Sequence, residues 1–206
     1  MRHPFKFAAL GLALALAAGA PASAQISTVP AQVQAGAYKL DSSHGKITWS
    51  VSHFGFSTYV GQFATVNATL TLDPANLAAT KLEAVVDTTS VGTLNAALDT
   101  HLKSPDFLDT AKFPTATFKA TTVTRTGDRT ADIAGNLTLH GVTKPVVVKA
   151  TFNQAGPNPM VKTYQLGFAG SAVIKRSDFG ITTYVPAIGD EVTLTLEAEF
   201  RAVPAA

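Results

Sequence analysis

Histidine is the residue type in this 206-residue chain best suited to acid–base or metal chemistry, and the chain has five. It has no cysteine, which excludes thiol nucleophiles, thiolate metal sites and disulfides. Beyond His3, the histidines are His44, His53, His101 and His140. None stands at helical metal-ligand spacing from another, and there is no His-Glu-x-x-His motif. Ser43-His44 and Ser52-His53 are adjacent in sequence, but neighbouring strand residues point apart, so neither is a convincing dyad. No Gly-x-Ser-x-Gly elbow is present. Asp106, Asp109, Asp178 and Asp190 fall in turns, where carboxylates accept from local amides. These residues therefore nominate no catalytic group, no metal ligand and no cofactor. They do offer three candidates for holding a polar head group. His53 ends an apolar strand face. His101 lies on the apolar side of a helix. Arg176 follows a strand end, where it could grip a phosphate in bidentate fashion or merely pair with Asp178. His140, before Gly141, reads as a turn residue.

The elements that must position these groups are strands. Val192, Leu194, Leu196, Ala198 and Phe200 alternate with polar residues, and a strand sends alternate side chains to opposite faces. Seven earlier segments read the same way: Lys46 to Phe54, Gly61 to Leu72, Lys81 to Thr88, Thr115 to Arg125, and three more around Ile133, Val146 and Phe168. About eight strands is the number at which a sheet can close around one small ligand. The period changes once. Leu94, Ala97, Leu98, His101 and Leu102 make a helical stripe that Pro105 ends. Short turns join the later strands, which predicts an antiparallel, all-β fold with one main helix between the third and fourth strands.

The face that would point inward carries Trp49, Val51, Phe118, Ala150, Phe152, Phe168, Gly170, Ala172 and Ile174. Many positions on it are small, including Ala64, Ala68, Ala120 and Gly135. A filled core needs bulk there to reach native density. Either the space is a ligand cavity lined by these residues, or the aromatic rings fill it from facing strands. The pattern alone leaves both open.

The first residues read as a secretory signal peptide. Arg2 and Lys6 precede an apolar run from Phe7 to Ala18, and Ala22-Ser23-Ala24 predicts cleavage after Ala24. Residues 25–37 read as a tether and 38–201 as one domain. Removing Arg2 and Lys6 leaves 14 basic against 14 acidic residues, so no net charge or basic stripe points to nucleic acid. The apolar run is too short to span a membrane. The expected location is the periplasm, with release from the cell as the alternative.

Several stretches together resemble a known family. They are Tyr38-Lys39-Leu40-Asp41-Ser42-Ser43-His44, His101 to Asp109 with Phe113 to Phe118, Leu137 to Val146, Arg176 to Ile181, and Ile188 to Val192. In that order they resemble the YceI-like family of secreted bacterial polyisoprenoid-binding proteins. The resemblance implies a lipocalin-like eight-stranded barrel holding a long isoprenoid or similar lipid in its lumen, and implies no catalysis. Phe107-Leu108 departs from the Phe-Phe usual in the family. The expected function is carriage or storage of such a lipid, with a homodimer left open. The rivals are an enzyme using His53 or His101 as base, and an interaction protein with a filled barrel.

Overall fold

The computed structural model describes residues 25–204. The expected signal peptide, residues 1–24, lies outside the described residues. The strands are β1 (Gly36–Leu40), β2 (Lys46–His53), β3 (Ser57–Phe63), β4 (Val66–Leu72), β5 (Lys81–Asp87) and β6 (Val91–Gly92). After helix α1 (Ala96–Lys103) come β7 (Thr115–Arg125), β8 (Thr130–Leu139), β9 (Val142–Asn158), β10 (Thr163–Lys175) and β11 (Ile188–Ala202).

All pairings are antiparallel. The ring β1-β4-β5-β7-β8-β9-β10-β11 closes where β11 pairs back onto β1, with Phe200 opposite Leu40. This is the eight-stranded barrel expected. The three extra short strands continue strands already in the ring. The β2–β3 pairing prolongs β1–β4, and β3–β6 prolongs β4–β5. The first three long strands are thus each broken once. Ala64-Thr65 is one such break. It lets Phe63 and Val66, three residues apart, both face the lumen, and it leaves Ala64 exposed rather than inward as its alternation suggested.

The helix starts later than its stripe. The Asn95 side chain caps it by accepting from the Leu98 N–H at 3.2 Å, so α1 begins at Ala96. Leu94 stands outside it, fully exposed and with φ of +63°.

The segment expected as a tether is docked. Ser27 exchanges backbone hydrogen bonds with Ala155 at 2.7 and 2.8 Å, a short 3-10 turn spans Pro30–Gln32, and β1 begins at Gly36. Val33, 6 % exposed, joins a core cluster with Tyr38, Leu40, Leu70, Phe152, Ala155, Leu166 and Phe200. The segment has no strand alternation to announce this. It is held because one apolar side chain closes an otherwise open barrel end.

Candidate ligand cavity

The eight strands enclose a cavity of about 610 Å³. Ile47, Trp49 and Val51 of β2 line it, as do Leu82, Ala84 and Val86 of β5. Val146, Val148, Ala150 and Phe152 of β9 contribute, with Phe168, Gly170, Ala172 and Ile174 of β10 and alternate residues of β11 from Val192 to Phe200. All nine residues expected inward reach its wall. Along β10, the inward positions from Leu166 to Ile174 span roughly 27 Å at about 3.4 Å per residue.

Two small residues of the barrel, Gly61 and Gly135, seat rings from the neighbouring strand. Gly61 pairs directly with Trp49, and a Cβ on Gly61 would clash with the indole ring. The Phe118 ring similarly covers Gly135. Phe152, Phe168 and Phe200 instead meet one another, with centroids 5.6 and 6.2 Å apart, and build a floor above Val33 and Leu166. Packed rings and open space are thus both present, and the cavity lining continues past the rings to Val33, Pro74 and Arg129.

At the opposite end stand α1 and the loops 54–56 and 176–187. His53 and His101 both line the cavity there. The His53 ring packs on Phe54 at 4.8 Å and near Tyr59 at 6.0 Å. His101 packs on Phe107 at 4.9 Å and has the Asp106 carboxylate 3.7 Å from Nε2. His140 is elsewhere: in the β8–β9 turn, with φ of +51°, its Nδ1 lies 3.0 Å from the Phe179 carbonyl oxygen.

Arg176 reaches the cavity wall but its charge is spoken for. It is only 6 % exposed, and it donates to the carbonyls of Gly189 (2.9 Å), Ile181 (3.1 Å), Thr183 (2.8 Å) and Ile188 (2.9 Å). Burial pulls its pKa down, against the opposing field of Asp190. It organises the segment leading into β11. The Asp178 pairing considered from sequence does not form; the nearby carboxylate is Asp190, which accepts from the Ser177 N–H at 2.9 Å and hydroxyl at 2.7 Å and is thereby held below its usual pKa.

Sequence reasoning missed two groups. Arg125 and Arg129, at the β7–β8 hairpin, also border the cavity; by the parity of Ala116, Phe118 and Ala120 Arg125 would face outward, and the bulge after Ala120, which the sequence does not announce, turns Val123 and Arg125 inward. Arg129 Nε donates to the Phe152 carbonyl at 2.9 Å. The second group is Asp41, His44 and Glu199, whose ligand atoms lie within 4.8 Å of one another. Asp41 already accepts from Ser43 (2.7 Å), from His44 (2.7 Å) and from Arg201. Burial pushes its carboxyl up, but those bonds outweigh it and hold the group well below the usual carboxylate range. With a guanidinium on its carboxylate, this cluster fits a lock between the β1–β2 break and β11 better than a cation site.

A closed antiparallel barrel with a floored, apolar lumen is a lipocalin-like barrel. The chain belongs to the YceI-like domain family, whose model matches residues 38–200. A relative in Pseudomonas aeruginosa called a UPF0312 protein is 43 % identical over 170 residues, covering 82 % of this chain and 88 % of that one. Another, in Pseudomonas savastanoi pv. phaseolicola, is 41 % identical over 174 residues, covering 84 % and 88 %. Among solved structures, Burkholderia cenocepacia BcnA superposes with a TM-score of 0.71 at 23 % identity, covering 78 % of this chain and 98 % of that one. A Campylobacter jejuni YceI protein gives 0.66 at 29 %, covering 74 % and 90 %. A domain from Saccharophagus degradans described as polyisoprenoid binding gives 0.63 at 14 %, covering 82 % and 100 %.

Proposed function

We propose that this protein binds a long apolar lipid, a polyisoprenoid, in the barrel lumen and carries or stores it in the periplasm, without chemical conversion. The observation that carries this reading is the cavity of about 610 Å³, whose wall is mostly Val, Leu, Ile, Ala, Phe and Trp. Its size falls within the usual ligand-pocket range of roughly 300–1,000 Å³. An empty apolar void of that size weakens a fold, and a chain that fills it regains the lost contacts. Burying an alkyl or isoprenyl chain contributes about 25 cal/mol per Å² of surface removed from water. The polar groups at the α1 end, His53 and His101, would orient a head group. Family membership and the Saccharophagus domain's description support the isoprenoid class. The signal-like leader supports export.

Native mass spectrometry of protein purified without detergent tests the reading. The expected result is an adduct with the mass of an intact lipid. The same protein incubated with an isoprenyl pyrophosphate should return it unchanged. Histidine-dependent turnover would instead make it an enzyme.

A further inference from the structure

The α1 end of the barrel presents apolar side chains to solvent as well as to the lumen. Phe54 is 52 % exposed, Phe56 92 %, Tyr184 57 % and Val185 36 %. They sit on two loops that touch: the Phe54 N–H donates to the Ala187 carbonyl at 2.9 Å, and His53 pairs with Ile188. Phe54 and Tyr184 also line the cavity, so the rim is continuous with its wall. Both hold left-handed backbone conformations, with φ of +53° and +61°. That conformation is sterically disfavoured for a bulky L-residue. Such strain concentrates where a side chain is presented for use.

The charge pattern is equally one-sided. No Asp, Glu, Lys or Arg occurs between Lys46 and Asp73, nor between Asp178 and Asp190. Both rim loops fall inside these uncharged stretches. Nothing on them would have to shed a tightly bound hydration shell on entering an apolar phase.

We propose that this rim is a membrane-docking surface. Phe54, Phe56, Tyr184 and Val185 enter a bilayer interface and set the cavity mouth against the acyl chains, so that a lipid moves between bilayer and lumen without crossing water. The inference rests on the lipid-binding reading above. Three observations select a bilayer as the occupant. The rim is continuous with a cavity whose wall matches an acyl chain. Its exposed area is roughly 450 Å², taking about 200 Å² for a whole aromatic side chain, where a stable protein partner needs about 800 Å² per side. Its composition, aromatic and uncharged, is that of residues that settle at headgroup depth.

The test is co-sedimentation of the full exported chain with phosphatidylcholine vesicles. The protein should partition onto them. Phe56→Asp should reduce partitioning about tenfold, the loss expected when one large apolar side chain no longer transfers. Met160→Asp, equally exposed at 87 % but in the β9–β10 hairpin at the other end, should leave it unchanged. So should about 1 M salt, which shortens the Debye length to about 3 Å and removes charge-driven binding. In parallel, uptake of a soluble fluorescent apolar probe reads the cavity, and Phe56→Asp should retain it. Docking is overturned if the unaltered protein ignores vesicles, if Met160→Asp acts like Phe56→Asp, if salt releases the protein, or if light scattering shows Phe56→Asp splitting a dimer. A protein that takes up no probe at all would overturn the lipid-cavity reading and this proposal with it; probe uptake without vesicle binding would overturn docking alone.

Discussion

At the β1 end of the barrel, Val33, Tyr38, Leu70, Phe152, Leu166 and Phe200 are all buried and touch one another. At the α1 end, His101, Leu102, Phe107 and Tyr184 are half-buried or exposed and face a space. The same alternating strands run through both ends, so alternation decides neither. Ring placement does. Where aromatic residues from adjacent strands β9, β10 and β11 fall at one level, their rings meet and narrow the lumen. Where a ring sits beside a glycine on its neighbour, as Trp49 does at Gly61, it folds onto the wall and the lumen stays open. The floor supplies stability and the mouth supplies access.

Substitutions at the two ends should therefore fail in different ways. Phe152→Ala removes the central ring of the floor and is expected to cost about 4 kcal/mol of global stability by chemical denaturation. A loss below about 1 kcal/mol would mean that the floor is not the core. Arg176→Met leaves four carbonyls at the mouth without their donor. It should cost about 3 kcal/mol, and hydrogen exchange should rise first in residues 177–189 rather than across the sheet. Ala172→Phe puts bulk into the hollow part. It should weaken lipid binding about tenfold, or roughly 1.4 kcal/mol, in a displacement titration while the denaturation midpoint moves less than for Phe152→Ala. His101→Gln at the mouth should weaken retention of a polar-headed lipid by about 1 kcal/mol and leave a plain hydrocarbon's retention unchanged.

The effect of Asp41→Asn depends on pH. The Asp41 carboxyl titrates lower in the folded chain than its unfolded value of about 3.9. Below that value the unfolded chain binds more protons, so this group's contribution is full above about pH 4 and fades as the pH falls further. The stability gap between the native chain and Asp41→Asn should accordingly be largest near neutrality and shrink in acid. A gap that widens in acid would contradict the lock assigned to Asp41, His44 and Arg201.

Most of the barrel was legible because each strand carries its own inward and outward residues. Trp49, Val51, Phe118, Ala150, Phe152, Phe168, Gly170, Ala172 and Ile174 could be assigned to one face by parity alone. Parity fails where the backbone breaks, as at Ala64-Thr65, since one extra residue reverses the faces and leaves little trace in composition. It is also silent on long-range choices. Whether rings meet or lie flat depends on which strands pair, and only the register puts Gly61 under Trp49. Arg176 illustrates a further limit. An arginine at a strand end looks free to meet a ligand until the fold shows four carbonyls turned toward it. Val33 lies in a segment without periodicity, and its burial follows from the shape of the barrel end rather than from its neighbours in sequence.

The seam that closes the barrel joins the first strand to the last: Tyr38 lies opposite Ala202. Until β11 is in place, β1, β2 and β10 all lack a neighbour that only β11 supplies. A chain built this way cannot complete its sheet before β11 docks, and its pairings span long stretches of sequence. Folding is expected on the millisecond-to-second scale typical of non-local β topologies, measurable by stopped-flow refolding.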